Sequence, residues 1–322
     1  MAGPPLRIRF RNVLVHGLTY AVLGLVRVLP ERATYRVGQV LALAAWGYLP
    51  SWRHNADVNL RLFFRGEPLA SPDARRERSR IGRLSIIHLG WQVIEFARMG
   101  FMPKEKALEM VVEAEGLEHY REALAQGRGV IALAMHYGNW EMSGAYLVAQ
   151  SLPIYAVGKK LRDSFFTDLA FPRRARYGIR NIFSDDKLNS AVLRTLHENN
   201  VLGLLADQNG GSTGTFAPFC GTTASCVQGP AVLALKYGSP LLLTYCKRLA
   251  PGRLRMVVKP PLNMSGIAGH DPQTGKFTPE AVVEALTRIN TAYEAVIRED
   301  PPQWLWGHAR WKTRPPGEAK LY

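Results

Sequence analysis

From about residue 110 onwards the chain alternates short apolar runs with longer stretches whose apolar residues recur at helical spacing. Strands are predicted at 129–135, 152–158, 201–206, 240–247 and 253–260, and helices at 140–150, 162–175, 187–198, 229–237 and 279–298. Continuously apolar strands between helices belong to an α/β domain whose sheet is mostly parallel and covered on both faces. The last two strands are joined through Ala250-Pro251-Gly252-Arg253, which reads as a hairpin, so the sheet is expected to be mixed. Thr278-Pro279-Glu280 opens a helix with proline at its first position, and Val282, Leu286, Ile289, Tyr293 and Val296 follow on one face. Gly238 and Pro240 end the helix that opens near Pro230.

The first hundred residues are patterned differently. Arg7, Arg9 and Arg11 precede an apolar stretch from Val13 to Leu29, broken by His16 and Arg27, and a second stretch runs from Val37 to Leu49. The first is close to the lower limit for crossing roughly 30 Å of hydrocarbon. A membrane anchor, either spanning or lying in the interface, is expected ahead of a buried N-terminal helix pair, and the positive-inside rule puts the three arginines on the cytoplasmic side if the stretch is a hairpin or lies in the plane, without fixing the topology. No small-residue cleavage site marks a secretory signal. Ser51 to Pro72 is basic and irregular. Asp73 to Met99 is a long helical pattern with Arg75, Arg76, Arg78, Arg80 and Arg83 in its first half and Ile86, Ile87, Trp91, Ile94 and Phe96 in its second. The organisation expected is an anchor at 1–50, a basic amphipathic helical region at 51–109 and an α/β domain at 110–322.

Composition adds the charge. Of 322 residues, 47% are hydrophobic and 21% charged, enough apolar material for a sizeable core. Lysine and arginine number 41 against 26 acids, a formal charge of +15, which attracts nucleic acid, anionic lipid or an acidic carrier protein. Cys220, Cys226 and Cys246 form no CxxC pair and have no histidine at zinc spacing, so a reduced compartment and no metal are expected. The tail from Gln303 to Pro316 interleaves aromatics with bases. Base stacking and a membrane-interface belt are two readings, and core packing is the default for Trp304 and Trp306. A nucleic-acid-binding protein has no use for the apolar N-terminus.

Candidate chemistry centres on His136-Tyr137-Gly138-Asn139-Trp140-Glu141, where an apolar strand breaks into a helix. On one regular helix, positions five apart lie about 140° apart, so His136 and Glu141 converge only if His136 is still in the turn, with Asn139 as the N-cap. Glu141 would then hold one ring nitrogen and leave the other to take a proton from a substrate hydroxyl. Taken alone, such a pair more often makes only structural hydrogen bonds. At the same sheet end, Lys159, Lys160 and Arg162 follow the second strand, and Arg173, Arg174, Arg176 and Arg180 lie further on. These cations could clamp a phosphate or form a solvated basic face. Asp207-Gln208-Asn209-Gly210-Gly211 follows a third strand, either as a headgroup-binding loop or as an ordinary turn. Within 210–214 the pattern G-x-S-x-G occurs, but Phe216-Ala217-Pro218-Phe219 follows where a nucleophile elbow needs a helix.

Together these stretches resemble the late acyltransferases of lipid A biosynthesis, the lauroyl and myristoyl transferases of the lysophospholipid acyltransferase superfamily. The resemblance runs over nearly the whole chain. It rests on His136 to Glu141, which matches an H-x4-D/E box; on Asp207-Gln208 with Phe216-x-Pro218-Phe219-x-Gly221; and on Pro302-Gln303-Trp304-Leu305-Trp306 with the basic ending. It implies an α/β fold with a membrane-associating N-terminal segment. The implied reaction is acyl transfer from acyl carrier protein or coenzyme A, as co-substrate, to a hydroxyl of a phosphorylated glycolipid at the cytoplasmic face of the bacterial inner membrane, with no other cofactor. It assigns His136 as base and Glu141 as its partner. Asn139, Lys160, Arg162, Arg174, Asp207, Gln208, Gly210, Phe216 and Gly221 are the expected substrate-binding positions. Where many relatives carry Tyr-Arg-Pro after the second strand, this chain has Lys159-Lys160-Leu161, and Lys160 lacks the bidentate fork of arginine.

Overall fold

The computed structural model describes residues 6–158, 164–183, 188–271 and 276–322. Four helices come first: α1 (Leu6–Val28), α2 (Glu31–Tyr48), α3 (Pro50–Phe63) and α4 (Arg75–Met99). Then follow α5 (Lys104–Leu108), β1 (Val111–Glu115), α6 (Leu117–Leu124), β2 (Val130–Ala134), α7 (Trp140–Ala149), β3 (Ile154–Gly158), α8 (Ser164–Arg176), β4 (Arg180–Phe183), α9 (Leu188–His197) and β5 (Val201–Leu205). The remainder is β6 (Thr215–Phe219), β7 (Thr222–Cys226), α10 (Gly229–Tyr237), β8 (Leu241–Ala250), β9 (Arg253–Pro261) and α11 (Pro279–Glu299).

Among the described residues the main sheet has seven strands in the order β1-β9-β8-β2-β5-β3-β4. Only the β8–β9 hairpin is antiparallel; every other pairing is parallel. The mixed, mostly parallel sheet and the five strands expected from the pattern are therefore present. Two strands escaped the reading because they are short and not continuously apolar. β1 (VVEAE) is exposed over most of its length and β4 carries Arg180 and Asn181. β6 and β7 form a separate hairpin whose turn residues, Cys220 (φ 49°) and Gly221 (φ 68°), are both left-handed, as a two-residue type I′ connection requires.

β2 pairs directly with β5 rather than with β3, which follows it in sequence, with Ala134 opposite Leu205. Residues two places beyond each strand are thereby neighbours, and they are His136 and Asp207. One face of the sheet packs on α3, α4, α10 and α11, where Leu60, Phe63, Ile81, Leu133, Leu286, Tyr293 and Trp306 share a core. The other packs on α6 and α7 through Tyr120, Ala132, Met142, Leu242 and Met256.

The two N-terminal apolar stretches form α1 and α2, but no helix among the described residues is long and apolar enough to cross a membrane. The reason is composition: α1 carries Arg7, Arg9, Arg11 and Arg27, and α2 begins with Glu31, Arg32 and Arg36. Instead the helices leave Val13, Leu18, Tyr20, Val40 and Tyr48 exposed on their outer faces. The described tail is core: Trp304, Trp306 and Trp311 are buried, as is Arg310, whose guanidinium lies 4.9 Å from the centre of the Phe219 ring. None of these rings is free to stack on a base.

Candidate active site

The turn after β2 is set by its backbone. Gly138 has φ +58°, and a Cβ there would lie 2.0 Å from the Cys246 carbonyl oxygen, so only glycine fits. The Gly138 N–H donates to the Gln303 carbonyl (3.2 Å), the Asn139 N–H to that of Cys246 (2.8 Å), and the Leu305 N–H to that of His136 (3.1 Å). Asn139 is the N-cap of α7, its Oδ1 accepting from the Met142 N–H at 2.8 Å, as expected from sequence. Its Nδ2 donates at 2.8 Å to Glu95, a fully buried carboxylate on α4. Asn139 is itself buried, and both its bonds are structural.

His136 does not meet Glu141. Its Nδ1 lies 2.8 Å from Asp207 Oδ1, its backbone N–H donates to Asp207 Oδ2 at 2.9 Å, and the Trp304 indole N–H donates to the same oxygen at 2.8 Å. Burial alone would raise the Asp207 carboxyl. The charge of the adjacent imidazole and these three hydrogen bonds outweigh it, and the group is held below the usual carboxylate range. An ionised carboxylate only accepts, so in the neutral ring Nδ1 carries the proton and Nε2 the lone pair. The side chain of Asp207 is closed to solvent while that of His136 is 19% exposed, so the carboxylate is internal and the imidazole reaches the surface.

Glu141 sits in the first turn of α7 and takes the fork of Arg174 instead, at 2.6 and 2.8 Å. The Arg174 guanidinium is opposed by burial, but the bonds and charge of Glu141 prevail and hold it firmly protonated. The expectation that Glu141 orients His136 and that Asp207 contacts a headgroup is thus reversed by geometry. Asp207 comes from the neighbouring strand and sits under the ring, whereas Glu141, one helical turn on, points towards α8.

The other expected positions separate. Lys160 and Arg162 lie outside the described residues. Gln208 is half-buried in the loop after β5. Gly210 is needed for a close approach: a Cβ would stand 2.7 Å from the Cys226 carbonyl group, and its N–H donates to Ser225. Phe216 pairs with Ser225 in the β6–β7 hairpin and Gly221 makes its turn, so both have local structural work. Unforeseen from sequence were the Trp304 indole and His308, whose Nε2 accepts from the Asn209 N–H at 3.2 Å. Burial, together with His136, Arg310 and Lys312, lowers the His308 pKa against the opposing charge of Asp207. The signal for Trp304 lay in the tail motif; its contact with Asp207 did not.

Beside the Glu141–Arg174 pair a cavity of about 70 Å³ opens between the sheet and α7. Ala132, Ala134, Ala156 and Gly203 floor it, and Trp140 stands at its edge, its ring centre 5.2 Å from that of His136. Small residues on three adjacent strands leave room that Val or Leu would fill.

A surface-reaching imidazole backed by a buried carboxylate beside an apolar cavity is the equipment for removing a proton near a hydrocarbon chain. Residues 7–313 match the family model described as bacterial lipid A biosynthesis acyltransferase. The chain belongs to that family. The acyltransferase is 24% identical over 323 residues to the lipid A biosynthesis lauroyltransferase of Escherichia coli (strain K12), covering 98% of each chain. It is 24% identical over 237 residues to the lipid A biosynthesis palmitoleoyltransferase of the same strain, 73% of this chain and 72% of the other. It is also 31% identical over 134 residues to the phosphatidylinositol mannoside acyltransferase of Mycobacterium tuberculosis (strain ATCC 25618 / H37Rv), 41% of this chain and 42% of that one. Among the described residues no group of three His, Cys, Asp or Glu side chains could hold a metal ion.

Proposed function

We propose that this acyltransferase moves a fatty acyl chain from a thioester of acyl carrier protein or coenzyme A to a hydroxyl of a phosphorylated glycolipid, the lipid A precursor. The observation that carries the reading is the Trp304–Asp207–His136 chain, which leaves Nε2 of His136 as the free base. His136 takes the acceptor's proton as its oxygen attacks the thioester carbonyl; the carbon–sulfur bond breaks, and the departing thiolate takes the proton back. The products are an ester and a free thiol. Asp207 fixes the tautomer and balances the imidazolium that forms. The cavity beside Glu141 takes the first methylenes of the chain, and Arg174, anchored by Glu141, meets negative charge at its mouth.

The formal charge of +15 favours an acidic carrier as donor and an anionic membrane as the working surface. The exposed apolar residues of α1 and α2 fit a protein lying on the cytoplasmic face of the inner membrane rather than crossing it. The purified enzyme is to be assayed with acyl-carrier-protein and coenzyme A thioesters and a lipid A precursor. His136→Ala should lose about 10²–10⁴ in kcat, the worth of a general base. An Asp207→Asn variant should lose a similar factor. Near-normal turnover by either folded protein overturns the scheme.

A second acceptor is favoured by the mycobacterial relative, whose name specifies a phosphatidylinositol mannoside. The chemistry is the same with another glycolipid hydroxyl. Mass spectrometry of lipids from cells with and without the gene separates the two: loss of one acyl chain from lipid A supports the first, and an intact lipid A with another glycolipid underacylated supports the second.

A further inference from the structure

A second cavity, sharing no lining residue with the one beside Glu141, is an apolar groove of about 320 Å³ enclosed by α1, α2, α4 and α8. Leu18, Val22, Ala45, Leu89 and Val93 represent its walls, and Gly38 and Gly90 its floor. The floor exists because α2 and α4 meet backbone to backbone: a Cβ on Gly90 would lie 2.5 Å from the Gly38 carbonyl oxygen. Leu18, Leu49 and Val93 are more than two-fifths exposed along the groove, and Val40 and Tyr48 continue the apolar surface on α2. A slot continuous with so much exposed hydrocarbon opens towards an apolar medium rather than water.

One end of the groove is cationic. Arg173 of α8 lines it, and Arg173 and Arg27 each lie 5.8 Å from the centre of the partly exposed Phe101 ring. Arg173 spends one N–H on the Leu169 carbonyl (2.6 Å), while its buried Nε has no hydrogen-bond partner. No carboxylate among the described residues lies in ion-pair range of either arginine, although nearby Arg98 is matched by Glu31 at 3.3 Å. Guanidinium groups that flank one ring with no carboxylate beside them attract an anion. An apolar slot ending in an unneutralised arginine pair matches an amphiphile with a hydrocarbon chain and an anionic head.

We propose that this groove binds one acyl chain of an anionic membrane phospholipid, with its phosphate on Arg173 and Arg27. The lipid fastens the helical layer to the bilayer from within, which explains how helices too charged to span one can hold to its surface. The site does not depend on His136 being the base.

The test uses the full-length protein stripped of lipid in neutral detergent and then offered phosphatidylglycerol and phosphatidylcholine of identical chains in equal amounts, with bound lipid read by native mass spectrometry. The wild type should retain one phosphatidylglycerol, preferred by roughly tenfold, because both lipids carry a phosphate but the choline cation of the competitor is repelled by the two arginines. Arg173→Gln combined with Arg27→Gln should bring that preference close to unity without disturbing the apolar walls. Ala45→Phe, which fills the slot, should abolish retention of both lipids. Equal retention of the two lipids by the wild type, no retention at all, or a preference unchanged in the double glutamine variant would overturn the site. So would retention of a phosphorylated glycolipid with no phosphatidylglycerol, which assigns the groove to the acceptor.

Discussion

His136 gives one ring nitrogen to Asp207 and none to Glu141, and this division separates the two carboxylates of the region. Asp207→Asn should move the pH profile of turnover as well as its rate, because the asparagine neither balances the imidazolium nor fixes its tautomer. Glu141→Gln should lower turnover by loosening Arg174 while leaving the profile in place. pH–rate curves of the two variants test this, and a shift confined to Glu141→Gln would reverse their roles. A second histidine answers to pH through stability. Burial, reinforced by Arg248, pushes His88 down from 6.5 to about 3. The unfolded chain therefore takes up a proton that the folded one refuses, so the stability contribution is complete above pH 6.5 and is lost as pH falls towards 3. At about pH 5 the loss amounts to about 2 kcal/mol. His88→Gln should flatten the fall in Tm between neutral pH and pH 5; a fall as steep as in the wild type would exclude His88 as its source.

At the scale of elements, the long periodic segments and those with plain punctuation were legible. α10, with Pro230 inside its start and Gly238 beyond its end, occupies 229–237 as expected, and α11 begins at Pro279 after its Thr278 cap. The β6–β7 hairpin was not, because Cys220-Gly221 is an unusual type I′ turn with a cysteine at a left-handed position. Gly221 has open space where a Cβ would go, so its backbone angle alone requires glycine. Gly221→Ala should cost about 1–2 kcal/mol, seen as a lower Tm, and leave specific activity near wild type below the transition. Activity lost with Tm unchanged would return Gly221 to substrate binding, the role expected from the family resemblance.

The whole molecule is tied together by a pair that no local pattern announced. Glu95 of α4 and Arg248 at the end of β8 are both buried and joined by two hydrogen bonds, one at 3.2 Å. Glu95 also holds Asn139, and Gln303 bonds the backbone of Arg248 in both directions, so the helical layer, the hairpin and the histidine turn share one polar network. Glu95→Ala should cost about 3–5 kcal/mol by stranding the guanidinium. Replacing both partners with methionine should cost less than the sum of the single losses, and a denaturant double-mutant cycle measures the coupling; strict additivity would mean that the pair does not act as a unit. By itself the sequence determined the α/β class, the longer helices and apolar strands and the turn that carries His136, because apolar periodicity, helix caps and glycine-requiring turns are local. Which strand lies beside which is not local. A parallel crossover can place the next strand on either side, and the choice is made by packing between residues far apart in the chain. Only the tertiary structure set β5 between β2 and β3, so only it could decide that the acid beneath His136 is Asp207 and that Glu141, five residues away in sequence, turns to Arg174 instead.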